Sequence, residues 1–324
     1  MSHLRVGLCP ALSQETLDAL NTAGVRTVVE FVGADFEELS QTCSISYKTL
    51  QSIRRLLLAQ NSTLPINGGD LYDHVISSVA ILSTGCKSVD ELLDGGLYTS
   101  EVTEVTGGPA TGKSQLCLSA SASVTLTAQQ NVLYIDTTGA YSSHRLQDIM
   151  ISRESSEKDV AAGLQRLRCI RIFDLFDLLS LLERTKTSLA SGTDTFYASL
   201  KLVVVDSVTA VVGPLLGGQQ TDGHVMMMHL ARSLKALAVE YSVAVLVSNN
   251  QVGSEGGERK PALGVSWAHV PHCRILLTQH RAGEANLQST NQQATQRVAR
   301  IIKSRRQETN ISCAFKIDET GICS

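Results

Sequence analysis

Residues 107–114 read Gly107-Gly108-Pro109-Ala110-Thr111-Gly112-Lys113-Ser114, a full match to G-x-x-x-x-G-K-[ST]. This is the phosphate-loop signature, and it predicts a nucleoside triphosphate site. Gly107 and Gly112 let the backbone curl until successive N–H groups converge on phosphate oxygens. Lys113 brings a positive charge to the β- and γ-phosphates. The Ser114 hydroxyl can ligand a Mg2+ ion that keeps most of its waters. The stretch before the loop, Ser100-Glu-Val-Thr-Glu-Val-Thr106, alternates in polarity and is rich in β-branched residues, so it reads as a strand. A helix follows from Gln115 and aims its N-terminal dipole at the same anion. The bland alternative is a chance glycine-rich turn, and the strand–loop–helix context argues against it.

Outward from the loop, strand and helix patterns alternate. Candidate strands lie at 100–106, 131–135, 168–172, 201–206, 243–248, 273–278, 297–302 and 311–317. Candidate helices lie at 113–128, 144–151 (alone or continuing to 166), 174–189 and 222–241. The run Lys201-Leu-Val-Val-Val-Asp206 is continuously apolar and predicts a central strand buried on both faces. The alternation predicts an α/β core with a largely parallel sheet, followed by strands without long helices between them. Residues 190–199 lack apolar periodicity and read as a surface loop, and 286–296 as a hairpin tip or loop.

Asp206 ends the apolar run. A carboxylate at that end of a strand lies beside the phosphate loop in this architecture and can hold the Mg2+ shell. Its alternative role is to cap a turn through Ser207. Asp136 ends another strand before Thr137-Thr138-Gly139, where a base that orients the attacking water could sit, and reads rather as a turn residue.

Residues 1–60 carry four short helical patterns punctuated by Gly24 and Gly33, with Ser13 as an N-cap. They predict a small all-helical N-terminal domain. Residues 61–80 read as a linker, turn-rich over 61–69 and then extended or briefly helical. Residues 81–324 form the core. Arg54 and Arg55 suit either a solvated face or a phosphate contact.

The 324 residues are 43% hydrophobic and 18% charged, enough for a sizeable core without staples. With 28 basic and 31 acidic residues, the net charge of −3 excludes a protein that coats nucleic acid through bulk charge. Eight scattered cysteines without a C-x-x-C predict free thiols, no disulfide and no zinc. No signal segment or bilayer-length apolar run is seen, so the chain reads as soluble and intracellular.

Residues 82–116, beginning Leu82-Ser-Thr-Gly-Cys-Lys-Ser-Val-Asp-Glu-Leu-Leu-Asp-Gly-Gly-Leu97, resemble the eukaryotic and archaeal RecA-type recombinases. So do Tyr134-Ile-Asp-Thr-Thr-Gly139, Val204-Val-Asp-Ser-Val-Thr209, His229-Leu-Ala-Arg-Ser-Leu234 and Ala244-Val-Leu-Val-Ser-Asn249. The resemblance covers nearly the whole chain. Gly7-Leu-Cys-Pro10, Asn67-Gly-Gly-Asp-Leu-Tyr72 and the stretch 207–220 are similar to the D-type paralogue branch of that family.

The resemblance implies a RecA-like core that binds ATP and Mg2+. It implies a nuclear accessory protein of homologous recombination repair, acting with other recombinase paralogues in a hetero-oligomer. That assembly assists recombinase loading, and single-stranded or branched DNA is met through it. A structural adaptor, in which ATP stabilises an interface without turnover, stands as the alternative. A fully competent motor would need an acidic base after strand 131–135.

Departures from the family pattern refine this. Active recombinases carry Glu where this chain has Thr138, and a threonine hydroxyl is no base near neutral pH. The implied ATPase is therefore weak. The family joins subunits through an aromatic-x-x-Ala peptide. Ile66-Asn67-Gly68-Gly69 matches it without the aromatic, which implies either a paralogue-selective contact or a plain linker. The two DNA loops would be about 213–223, with no Lys or Arg, and about 250–264, with only Arg259 and Lys260. Arg145 matches a position near adenine, and Asn249 or Asn250 one that senses the γ-phosphate. Lys303 and Arg305 could reach a neighbouring subunit's γ-phosphate, contact DNA phosphates, or form a solvated face. Met226, Met227 and Met228 read as packing residues.

Overall fold

The computed structural model describes residues 4–61, 67–153, 156–216, 222–253, 259–279 and 296–324. The chain divides into two compact units, Met1–His74 and Val75–Ser324.

The first unit holds α1 (Gln14–Thr22), α2 (Val28–Gly33), α3 (Phe36–Cys43) and α4 (Tyr47–Asn61). Each of the first three begins on a side-chain cap. Ser13 accepts from Thr16 N, Thr27 and Glu30 form a reciprocal capping box, and Asp35 accepts from Glu37 N. Leu20, Phe31, Leu50, Ile53 and Leu57 form its fully buried centre. Arg54 lies 5.1 Å over the Phe36 ring, so its stem and plane serve packing. The expected linker is partly helical. The Asn67 side-chain Oδ1 accepts from Asp70 N and starts α5 (Gly68–Ser78), which places Gly69 in a first helical turn. Ile66 lies outside the described residues.

In the second unit, β1 (Ile81–Leu82) pairs antiparallel with β2 (Leu97–Tyr98) around α6 (Lys87–Leu92). The main chain of elements then runs β3 (Val102–Gly107), α7 (Lys113–Leu126), β4 (Asn131–Asp136), α8 (Ser143–Arg153), α9 (Glu157–Gln165) and β5 (Leu167–Arg171). It continues through α10 (Leu175–Ser191), α11 (Thr195–Ala198), β6 (Leu200–Asp206), α12 (Val208–Val212), α13 (Asp222–Tyr241) and β7 (Ala244–Gly253). It closes with β8 (Arg259–Pro261), α14 (Gly264–Ala268), β9 (Cys273–Gln279), β10 (Gln296–Lys303), β11 (Ser312–Asp318) and β12 (Gly321–Cys323). The sheet order is β12-β11-β10-β9-β3-β7-β6-β4-β5, with β8 paired to β7. The six strands from β9 to β5 are parallel, and β10, β11 and β12 add antiparallel pairs.

Period-two alternation sends the strand residues to two cores. Val105, Tyr134, Val204 and Leu246 meet α7 and α8 on one face. Val102, Leu133, Val203, Val205, Val245 and Val247 meet α10 and α13 on the other. Leu202, Val203, Val204 and Val205 are all fully buried, as the apolar run predicts for a central strand. Met227 is fully buried, and Met226 and Met228 pack against the second core. The expected loop at 190–199 contains α11, because Asp194 caps it and Phe196 is buried. No helix among the described residues is long and apolar enough to cross a membrane.

His272 clips the starts of β9 and β3 together. Its ring Nδ1 accepts from Val102 N at 2.8 Å, and its backbone N–H donates to Val102 O at 2.8 Å. Burial, with Arg305, Lys235 and Lys303 nearby, pushes the imidazole down from 6.5 to about 4. The folded state therefore resists the proton that the unfolded chain accepts. Core stability is expected to be full above pH 6.5 and to fall between pH 6.5 and 4. Urea unfolding across that window checks it, and His272→Asn should flatten this part of the slope.

Candidate nucleotide site

The phosphate loop leaves β3 and enters α7 through two residues in the left-handed region, Ala110 at φ 57° and Gly112 at φ 103°. Glycine is required at two points. A methyl group at Gly107 would sit 2.5 Å from Thr111 Oγ1 and 2.7 Å from the Leu277 carbonyl oxygen. One at Gly112 would meet Ile317 Cδ1 at 2.6 Å. Gly108 and Thr111 are buried, with the Thr111 hydroxyl donating to Gly108 O at 2.9 Å, while Pro109 and Ala110 are exposed. Lys113 Nζ donates to the carbonyls of Gly107 at 3.0 Å and Gly108 at 2.9 Å. Burial lowers the pKa of its ammonium, and the charge of Asp206 opposes that shift. Ser114, half-buried, follows in the first turn of α7.

Asp206 is nearly buried at the end of β6. Tyr134 Oη donates to its Oδ2 at 2.9 Å, and Ser248 Oγ donates to its Oδ1. Burial, then the charges of Cys117 and Asp206, raise the Tyr134 pKa well above its ordinary value, so Tyr134 stays a donor. A lysine charge, a serine hydroxyl, an anchored carboxylate and a helix N-terminus therefore belong to one end of the sheet. That donor set fits a magnesium-bound phosphate chain. Tyr134 and Ser248 were not singled out from sequence. Strand alternation was the available signal, since Tyr134, Val204, Asp206 and Ser248 share the α7 face.

Asp136 is a turn organiser. Its Oδ1 accepts from the N–H groups of Thr138, Gly139 and Ala140, and its Oδ2 from Tyr141 N. Thr138, exposed, turns its hydroxyl to the same Oδ1 at 3.3 Å. Neither residue offers a free base.

Asn249 is corrected. Its amide is fully buried, accepting from Thr209 Oγ1 at 2.7 Å and donating to Glu104 Oε1 at 2.7 Å. These contacts lie on the α13 face, opposite α7. Asn250 pairs in register with Gly107, and Gln251 lines a cavity of about 620 Å³ with Gly108, Pro109 and Thr111. A one-residue shift along a strand exchanges the faces, so Asn250 leaves the Asn249 side, while Gln251 stands by the cradle because it lies one residue beyond the Gly107 pairing.

On the other side, Gly112, Gln115 and Ile317 border a cavity of about 220 Å³. Arg145 donates from Nε to Gln115 Oε1 at 3.1 Å, from Nη1 to Glu319 O at 2.8 Å, and from Nη2 to Asp318 O. Its guanidinium plane is thus held between α7 and the β11–β12 turn. Lys303 and Arg305 sit elsewhere. β10 is antiparallel to β9 and pairs Lys303 with Arg274, at the sheet end opposite the phosphate loop. Lys303 Nζ donates to Ala268 O at 2.8 Å, whereas Arg305 is exposed. A cleft of about 1040 Å³ beside Asp90, Glu91 and Arg153 lies at the far end of α7. Its Asp90 is already engaged by Ser83 and Thr84.

Two family descriptions match the chain: "RAD51D, N-terminal domain" over residues 1–60 and "Rad51" over residues 76–324. The chain is 46% identical to DNA repair protein RAD51 homolog 4 of Mus musculus, across 99% of this chain and 96% of that protein. It is 47% identical to the Bos taurus protein of the same name, across 98% and 95%. DNA repair and recombination protein RadA of Aeropyrum pernix is 27% identical, across 85% and 86%. A RecA-like core behind a helical N-terminal domain, matched along nearly its whole length, makes this chain a member of the Rad51 family.

Proposed function

We propose that this chain is an ATP-binding accessory protein of homologous recombination repair. It acts in the nucleus with other paralogues of its family, in a hetero-oligomer that assists recombinase loading on single-stranded DNA. One observation carries the reading: the phosphate cradle of Lys113, Ser114 and Asp206 is retained, while the position that needs a general base holds Thr138. Bound Mg2+ would neutralise phosphate charge there, with Ser114 and Asp206 as its protein neighbours. Arg145 is offered as the base-facing residue.

The placement of Lys303 and Arg305 supports a shared site. A chain cannot present groups at one end of its sheet to a triphosphate at the other. The only triphosphate they could meet is a neighbouring subunit's, and Lys303 must first leave Ala268 O; DNA phosphates and a solvated face stand as the other readings. Of the proposed DNA loops, residues 217–221 and 254–258 lie outside the described residues.

Equilibrium dialysis with ATP and Mg2+, with and without partner subunits, tests the reading, which fails if no nucleotide is retained. ATP turnover is expected to be slow and weakly stimulated by single-stranded DNA. Thr138→Glu restores a carboxylate and is expected to raise turnover at least about tenfold, a modest part of the 10²–10⁴ that general bases supply. Single-turnover hydrolysis checks this. Rapid DNA-stimulated turnover by the unsubstituted chain would contradict the role given to Thr138. The adaptor reading is favoured by the same threonine, since an interface ligand needs no base.

A further inference from the structure

Behind the phosphate loop runs a buried polar relay. Glu104 lies on β3, three residues before Gly107, and is fully buried. Its Oε2 accepts from Arg274 Nη2 at 2.8 Å, Arg274 Nε at 3.0 Å and Trp267 Nε1 at 3.2 Å. Its Oε1 accepts from Asn249 Nδ2 at 2.7 Å. Asn249 Oδ1 accepts from Thr209 Oγ1 at 2.7 Å, and Thr209 Oγ1 accepts from Asn250 N at 2.9 Å.

The direction of each bond is forced. An ionised carboxylate only accepts, so the Asn249 amide must turn its NH2 to Glu104 and its oxygen to Thr209. The Thr209 hydroxyl has one proton, which it spends on Asn249, and this leaves its lone pairs for the Asn250 N–H. The relay therefore ends on the backbone of the residue that pairs with Gly107. The next residue, Gln251, faces Gly108, whose carbonyl holds the Lys113 ammonium. Lys113 serves the β- and γ-phosphates in this motif, so this is the terminal-phosphate side of the cradle.

We infer that Glu104, Asn249 and Thr209 are positioning residues that set where Asn250 and Gln251 stand against the terminal phosphate. The inference rests on the nucleotide reading of the site. None of the three touches the nucleotide. They act through the end of β7, and a diphosphate, which lacks the terminal phosphate, is expected not to feel them. Thr209 also lies in the first turn of α12, three residues after Asp206, so the same hydroxyl ties the metal-side strand to β7.

The test compares Thr209→Val, isosteric but without the hydroxyl, with Thr209→Ser, which keeps it, in the full chain. Affinities for a non-hydrolysable ATP analogue and for ADP are measured by fluorescence titration with Mg2+. Thr209→Val is expected to bind the triphosphate about tenfold more weakly while ADP affinity changes less than about threefold. Thr209→Ser should keep both affinities. A general structural defect would weaken both nucleotides together. Equal losses, or no loss, overturn the inference. Thr209→Ala gives the same comparison if the valine variant does not fold. Failure of the unsubstituted chain to bind either nucleotide overturns the site reading itself, and this inference with it.

Discussion

Lys113→Ala is expected to lower affinity for ATP and Mg2+ by about a hundredfold or more. In the folded chain the ammonium is held by two carbonyl oxygens of its own loop, at 3.0 and 2.9 Å. It can exchange these for phosphate oxygens without moving out of the cradle. Charge-assisted hydrogen bonds are worth about 1.5–3 kcal/mol each, and about 1.4 kcal/mol is tenfold in affinity, so losing two gives this magnitude. The fold should lose about 1–3 kcal/mol, because Gly107 and Gly108 are buried and their carbonyls lose a donor. Isothermal titration with ATP and Mg2+ reads the affinity, and a urea transition reads the stability. The same variant separates the two functional readings. Assembly with partner subunits that survives loss of ATP binding excludes a nucleotide-driven mediator. Assembly that fails is expected if ATP either drives or cements the interface.

The second large effect is on stability. Glu104→Gln is expected to cost about 3–5 kcal/mol, the usual result of removing one partner of a buried ion pair. Glu104 is fully buried, and Arg274 beside it is nearly so, with the two joined by two nitrogen–oxygen contacts. Glutamine leaves the guanidinium without a counter-charge and sets an amide N–H against either Arg274 or Asn249. Lys303, paired with Arg274 across β9 and β10, makes this worse, since burial and the Arg274 charge already push it down. A lower urea midpoint for the core, with the helical N-terminal unit unaffected, is the expected observation. An unchanged midpoint would mean that water reaches Arg274.

Much of the fold was legible because its signals are local. The octet 107–114 specifies its own curl, and the run 201–206 declares a strand buried on both faces. The cap at Ser13 acts within three residues of itself. Elements too short for periodicity escaped. β1, β2, β8 and β12 span two or three residues each, and α11 spans four. Within the site, the loop and Asp206 were readable, whereas Tyr134 and Ser248 were not. A hydroxyl that steadies a distant carboxylate leaves no pattern along the chain. The sequence left Asn249 and Asn250 open for a sharper reason: neighbours on a strand point to opposite faces, so a slip of one residue inverts the assignment.

The sequence by itself determined an α/β core, a phosphate cradle with its lysine and serine, an aspartate to face them, and the lack of a carboxylate at Thr138. These follow from contiguous residues, whose chemistry and backbone preferences travel with them. Only the tertiary structure decided that Glu104 and Arg274, 170 positions apart, share one buried charge pair, and that Asn249 turns away from the cradle. It alone sends Lys303 to the far end of the sheet. Those outcomes depend on strand order and register, which the whole sheet settles at once when its two faces are buried.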